Sequence, residues 1–222
     1  MRAARSALFV ALLPLFAGCQ ILTLQSMTPD TDGQSRMQGV LTGDKGQLLF
    51  QACGEQRRFV VKDVGNTGVL QEAANLAGKS NQVYADLRGS YSANKTAGSE
   101  GQLDLQKIYR LQRSGAACSD PNFKLMTLHA SGEKWDLKAS GKGLELNRDG
   151  QPPFAVPYLE EQLPDGRFSL STEANGQKVE LWVAPQRCVD PRRGSVESLS
   201  AELRVNGQVQ QGCAYFGGAH NE

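Results

Sequence analysis

Residues that carry chemistry are scarce in this sequence. It holds two histidines, His129 and His220, and no G-x-S-x-G, so the nucleophile and base of a hydrolytic triad have few candidates. Neither G-x-G-x-x-G nor G-x-x-x-x-G-K-[ST] occurs, which removes the loops that cradle a nucleotide's phosphates. Cys-x-x-Cys is absent as well, so a metal centre is the weaker reading of the cysteines. The adjacent Glu160 and Glu161 would point to opposite faces of a strand instead of flanking one substrate. His129 sits in a strand pattern that suits a structural role, and His220 lies in a tail, GGAHNE. The expectation is a protein that is not an enzyme and uses no cofactor.

Charge of one sign is missing too. Lys and Arg number 24 against 23 Asp and Glu. Loss of residues 1–18 would remove Arg2 and Arg5, leaving 22 against 23 and a net charge of −1. Such a balance lacks the footprint that nucleic acid or anionic headgroups require, so no nucleic-acid partner is expected. The pairs Arg57-Arg58 and Arg192-Arg193 read as solvated turn and strand residues.

Long apolar runs are also lacking. The uncharged stretch Ala7 to Gly18 is twelve residues. As a helix it would reach only ~18 Å, short of a ~30 Å hydrocarbon core. Arg2 and Arg5 precede it, which is a signal peptide's order of parts. Its end, LFAGC, resembles the lipobox read by the lipoprotein signal peptidase, with Phe16 where an aliphatic residue is usual. An ordinary signal peptide cleaved near Ala17 is the alternative. The resemblance implies that Cys19 becomes the lipidated first residue, and acyl chains anchor by ~0.8 kcal/mol per buried methylene. Gln20 stands where aspartate would resemble the inner-membrane retention signal. The expected address is the inner leaflet of the outer membrane, with the body facing the periplasm.

Four further cysteines remain: Cys53, Cys118, Cys188 and Cys213. An even number in an oxidising compartment reads as two disulfides, with three connectivities open. Proximity favours Cys188 with Cys213, which leaves Cys53 with Cys118.

Punctuation by turn residues divides the chain into a signal peptide (1–18), a lipidated tether (19–35), a first domain (36–114), a linker (115–122), a second domain (123–218) and a tail (219–222). The first domain offers strands at GVLTG, QLLFQA and RRFVVKD, a helix at VLQEAANLA, then strands at VYADLRGSY and LDLQKIYRL. In the helix, Leu70, Ala73, Ala74 and Ala77 recur at helical spacing. Three strands, a helix and two strands is the order of an OB-like small barrel. The second domain reads as an antiparallel β-meander of eight segments, FKLMTLHA, KWDLKA, GLELNR, FAVPYL, RFSLSTE, KVELWVA, LSAELRV and QQGCAYF, and hence a closed or nearly closed barrel. The fold class expected is therefore mainly β.

Within KVELWVA, Val179, Leu181 and Val183 share one face while Glu180 and Trp182 share the other. If the aliphatic face lines the core, Trp182 is exposed and available to anchor a partner. For the last hairpin, a three-residue loop Val205-Asn206-Gly207 would pair Leu203 with Val209 and keep the faces unmixed, and it is the expected register.

From Thr127 onward, TLHASGEKWDL, PYLEEQLPDGRFSL, WVAPQRCVDPRRGSV and LRVNGQVQQGCAYFGG resemble a family of proteobacterial envelope lipoproteins, especially pseudomonad ones. Gly132, Trp135, Cys188, Asp190, Gly212 and Cys213 carry the resemblance. Where such proteins read Met-Ser-Gly or similar after Cys-x-Asp, this chain has Pro191-Arg192-Arg193-Gly194. The first half, with Gly39, Phe50, Cys53, Gly54 and Gly89, faintly resembles a domain of lipoproteins related to the copper-homeostasis and adhesion-sensing lipoprotein NlpE, without its Cys-x-x-Cys element. The resemblance implies a compartment and an architecture more than an activity. The expected role is binding or scaffolding of another envelope component. The alternatives are a small barrel that carries a ligand or inhibits a cell-wall lytic enzyme, and an envelope-stress or metal sensor.

Overall fold

A computed structural model of the chain describes residues 33–220, apart from 97, 114 and 115. The tether and Cys19 lie outside the described residues. The first half supplies β1 (Ser35–Asp44), β2 (Gln47–Ala52), β3 (Phe59–Asp63), α1 (Val69–Ala77), β4 (Gln82–Ser92) and β5 (Gln102–Arg113). β1 pairs with β2 and β4, β2 with β3, β3 runs parallel to β5, and β5 returns to β4. The five strands thus close an OB-type barrel with the helix between its third and fourth strands. Register shifts in the β4–β5 pair, at Asp86/Leu87 and Arg88/Gly89, supply the coiling that closure needs. Leu41, Phe50, Leu87, Leu103 and Leu105 fill the interior.

The helix presents Val69, Ala73 and Leu76 to the barrel. That stripe is rotated from the one expected: Leu70 is 57 % exposed. The turn that aims the helix is set by Asp63, whose carboxylate accepts the Thr67 and Gly68 N–H groups at 2.9 and 2.8 Å.

The second half supplies β6 (Met126–Gly132), β7 (Trp135–Ser140), β8 (Gly143–Arg148), β9 (Phe154–Val156), β10 (Leu159–Gln162), β11 (Phe168–Ala174), β12 (Gln177–Ala184), β13 (Cys188–Asp190), β14 (Ser195–Glu197), β15 (Leu199–Val205) and β16 (Gln208–Phe216). Nine of these form an antiparallel sheet in the order β10-β11-β12-β15-β16-β6-β7-β8-β9. The sheet curls like a barrel whose seam opens between β9 and β10. Pro157 divides FAVPYL there, and a proline has no N–H to give a ladder. Leu137, Leu146, Leu170, Leu181 and Leu203 keep 0–1 % exposure on the inner face, so no water-sized void lies against them.

β13 and β14 leave this sheet. They extend the first one, β14 pairing with β5 at Arg110, Leu111 and Gln112. The first sheet therefore draws its strands from residues 35–113 and 188–197, and the second from the other strands of 126–216. Both sheets belong to one compact unit. No described helix is long and apolar enough to cross a membrane.

The last hairpin differs from the expected register. Val205 pairs with Gln208 and Arg204 with Val209, across a two-residue Asn206-Gly207 turn with φ of 49° and 84°. Asn and Gly tolerate that pair of positive φ values. β12 holds the turn in place, because Lys178 N–H donates to Asn206 Oδ1 at 2.8 Å and Asn206 N–H to Lys178 O at 2.9 Å. Val209, 54 % exposed, is left in solvent, which a single aliphatic residue tolerates.

Gly132 and Gly212 oppose each other in the β6–β16 ladder. A Cβ on either would meet the Trp135 indole at 2.6 Å or less. The two glycines make the bare backbone on which that buried ring lies. Gly212→Ala is accordingly expected to lower unfolding stability by about 1–3 kcal/mol through overpacking, read as a reduced Tm with altered tryptophan fluorescence.

Candidate functional site

Where the two sheets meet, charged side chains replace apolar packing. Arg36 on β1 grips Asp86 on β4 with two bonds of 2.9 and 2.7 Å. Its remaining N–H groups donate to Phe216 O at 2.6 Å and Gly217 O at 2.9 Å, at the end of β16. The guanidinium also lies over the Tyr109 ring, 4.1 Å from its centroid. One arginine thus joins the barrel wall to the last strand of the other sheet.

The turn after β13 makes the second junction. Asp190 Oδ1 accepts the Arg192 and Arg193 N–H groups at 2.9 and 3.1 Å, which shapes the turn and aims both side chains. Arg192 donates to the carbonyls of Gly132 and Glu133, and Arg193 pairs with Asp136 on β7. The two arginines expected to be solvated turn residues are instead the bolts between sheets. Cys188 on β13 is bonded to Cys213 on β16 beside them. The other disulfide joins Cys53 to Cys118. Cys188–Cys213 is the pairing proximity favours, and Cys53–Cys118 the one it leaves.

Asp136 also accepts from His129 Nε2 at 2.9 Å. Burial alone would raise the Asp136 pKa, but the His129 hydrogen bond and the Arg193 charge outweigh it and hold it at about 2. An ionised Asp136 can only accept, so the His129 proton sits on Nε2, and Nδ1 is left as a buried acceptor with no partner. Burial pushes the His129 pKa down against the pull of Asp136, and the ring is neutral near pH 7. Glu197 on β14 is pushed up to about 6, chiefly by burial, with the Ser195 hydrogen bond opposing.

Between the sheets a recess of about 330 Å³ is lined by Arg110, His129, Asp136, Lys138, Arg193 and Tyr215, with Asp120 at its margin. His129 and Asp136 have the geometry of a base and its orienting carboxylate, yet no hydroxyl or thiol is hydrogen-bonded to Nδ1. Such a site is equipped to hold a charged group. Among the described residues, no group of three or more His, Cys, Asp and Glu is arranged to bind a metal ion.

Trp182 is separate from this recess. It lies on the solvent face of β12, 39 % exposed, opposite the buried Val179, Leu181 and Val183. Arg204 caps its ring at 5.0 Å and is itself held by Glu202 at 2.6 Å. Of the residues singled out in the sequence, the structure brings Cys188 and Cys213 to the seam, places Trp182 on an outer face, and leaves Cys19 outside its description. Arg36, Asp86, Arg110 and Asp136 carried no sequence signal beyond that of ordinary strand polar residues. Asp190 did, by its place in the Cys-x-Asp element.

Two pH predictions follow from opposite shifts. Asp136 has a folded pKa of about 2, below its ordinary 3.8, so its contribution is present above pH 4 and lost as pH falls toward 2. At ~1.4 kcal/mol per pKa unit this is about 2 kcal/mol, and Asp136→Asn should flatten that part of an acid-denaturation profile. Glu197 has a folded pKa of about 6, above its ordinary 4.5, so its ionisation opposes folding above pH 6. Glu197→Gln should gain about 2 kcal/mol there, with the gain vanishing below pH 4.5. Compared with protein-family models, curated proteins and solved structures, the chain matches none.

Proposed function

We propose that this chain is a lipid-anchored, non-enzymatic binding protein of the bacterial envelope. Cys19 tethers it to the inner leaflet of the outer membrane, and the body faces the periplasm and holds another envelope protein. The observation that carries the binding role is Trp182. Its row across the sheet runs Glu161, Ser169, Trp182, Glu202, Gln211. The neighbouring row begins at Leu159, 77 % exposed, and ends at Val209. A tryptophan held rigid by Arg204 and Glu202, ringed by polar groups, has the composition of a binding hot spot. The filled inner face of the same sheet argues against carriage of an apolar ligand there.

Anchor and docking face are tested separately. Cys19→Ala should move the protein from the membrane to the soluble fraction and abolish palmitate labelling; retention in the membrane refutes the anchor. A photo-crosslinker at Lys178 should recover one dominant envelope protein from cells. Trp182→Ala should weaken that capture about tenfold or more, as loss of a ~2 kcal/mol hot spot requires, with Tm unchanged. Capture indifferent to Trp182→Ala refutes the docking face.

A further inference from the structure

The two disulfides are held in different ways. Cys188 pairs with Glu197 on β14, and Cys213 with Ser131 on β6 and Ser200 on β15, so both sulfurs of that bond stand on strands. Cys213 keeps 3 % exposure, and the Arg192 and Arg193 contacts pin the turn that follows β13. A groove lined by Val189 and Pro191 reaches this bond, yet the ladders keep its sulfurs face to face, bonded or not. Such a bond reforms after a break.

Cys53 and Cys118 differ from that pair at one end. Cys53 is half-buried just after β2, its N–H donating to Gln38 O of β1 at 2.8 Å. Cys118 is exposed, on a single 3-10 turn (Ala116–Ser119) in the connection from β5 to β6. The connection has firm ends: Arg113 N–H donates to Gly194 O at 2.8 Å, and Phe123 is buried against Met126 and Tyr215. Between them, Cys118 fastens it covalently to the barrel. Just beyond, Asp120 and Asn122 line one side of the seam recess, Asn122 N–H donating to Asp120 Oδ1 at 2.9 Å. The exposed bond thus fastens a wall of the recess.

We propose that Cys53–Cys118 is a thiol-exchange site for a dithiol, and that its reduction frees the wall of the seam recess formed by Asp120 and Asn122. A thiolate of the dithiol attacks Cys118 Sγ from solvent, in line with the bond, because Cys53 stands on the barrel side. A new S–S bond forms to Cys118, the old one breaks, and Cys53 leaves as a thiolate that takes up a proton. The dithiol's second thiolate then attacks its own sulfur in the mixed disulfide, and Cys118 leaves in the same way. The dithiol ends as a disulfide, two electrons and two protons having passed to Cys53 and Cys118.

The test is titration of the full chain with dithiothreitol, followed by alkylation with N-ethylmaleimide and peptide mass mapping. Cys53 and Cys118 should be labelled at a dithiothreitol concentration about tenfold or more below that needed for Cys188 and Cys213. With glutathione in place of dithiothreitol, the mixed disulfide should map to Cys118. In the singly reduced protein the amides of 119–122 should exchange hydrogen about tenfold or more faster, with β6 and β16 unchanged. Cys53→Ser combined with Cys118→Ser, which adds no alkyl bulk, should show the same acceleration; if that variant does not fold, the reduced native chain carries the measurement. Joint or reversed reduction of the two bonds, no reduction short of unfolding, an adduct on Cys53, or exchange at 119–122 indifferent to reduction would each overturn the proposal.

Discussion

β5 is longer than the strand that flanks it on one side, and most of the molecule's unusual geometry answers that mismatch. β3 covers β5 only from Gln102 to Leu105 before the chain turns toward the helix. Where it leaves, Gly65 passes so close to the backbone of Gln106 that no side chain would fit. The remaining backbone groups of β5 must still be paired. β14 meets that need at Arg110, Leu111 and Gln112, reaching over from the connection between β12 and β15. Once β14 is there, β13 lies beside it, and Cys188, Asp190 and the two arginines of the turn are placed against the other sheet.

The charges at this junction act on placement more than on gross stability. Desolvation offsets much of what a buried ion pair gains, whereas removal of one member strands the other. Asp86, wholly buried, depends on Arg36 in this way, and Arg36 spends its other donors on carbonyls of the far sheet. Asp136 likewise joins His129 of its own sheet to Arg193 of the other. Each link orders two elements at once, so the sheets have one relative arrangement that satisfies all of them.

Strand order was legible because the first half is punctuated by turns and its helix falls between the third and fourth strands, the order an OB-type barrel shares with other small α+β folds. The exposure of Trp182 was legible by the same two-residue period. The helix stripe was not, because Leu70, Ala73, Ala74 and Ala77 fit the helical period as well as the stripe that is buried, Val69, Ala73 and Leu76. The hairpin register was missed by weighting one valine above the turn chemistry of Asn206-Gly207. The seam was the least legible part. Arg110 and Asp136 sit in strands where polar residues normally face water, and they are buried only because another sheet covers them. Arg193 meets Asp136 from 57 positions away, a proximity that no local pattern encodes.

The excursion of residues 188–197 has a consequence for how the chain folds. A polypeptide emerging N-terminus first into the compartment where it folds can wind β1 to β5 early, but the open edge of β5 waits for a strand delivered near the end of that emergence. During that interval the edge is a template for any extended segment nearby. The molecule is thus knitted by its own late segment, and a cut between the two halves would yield no two finished pieces.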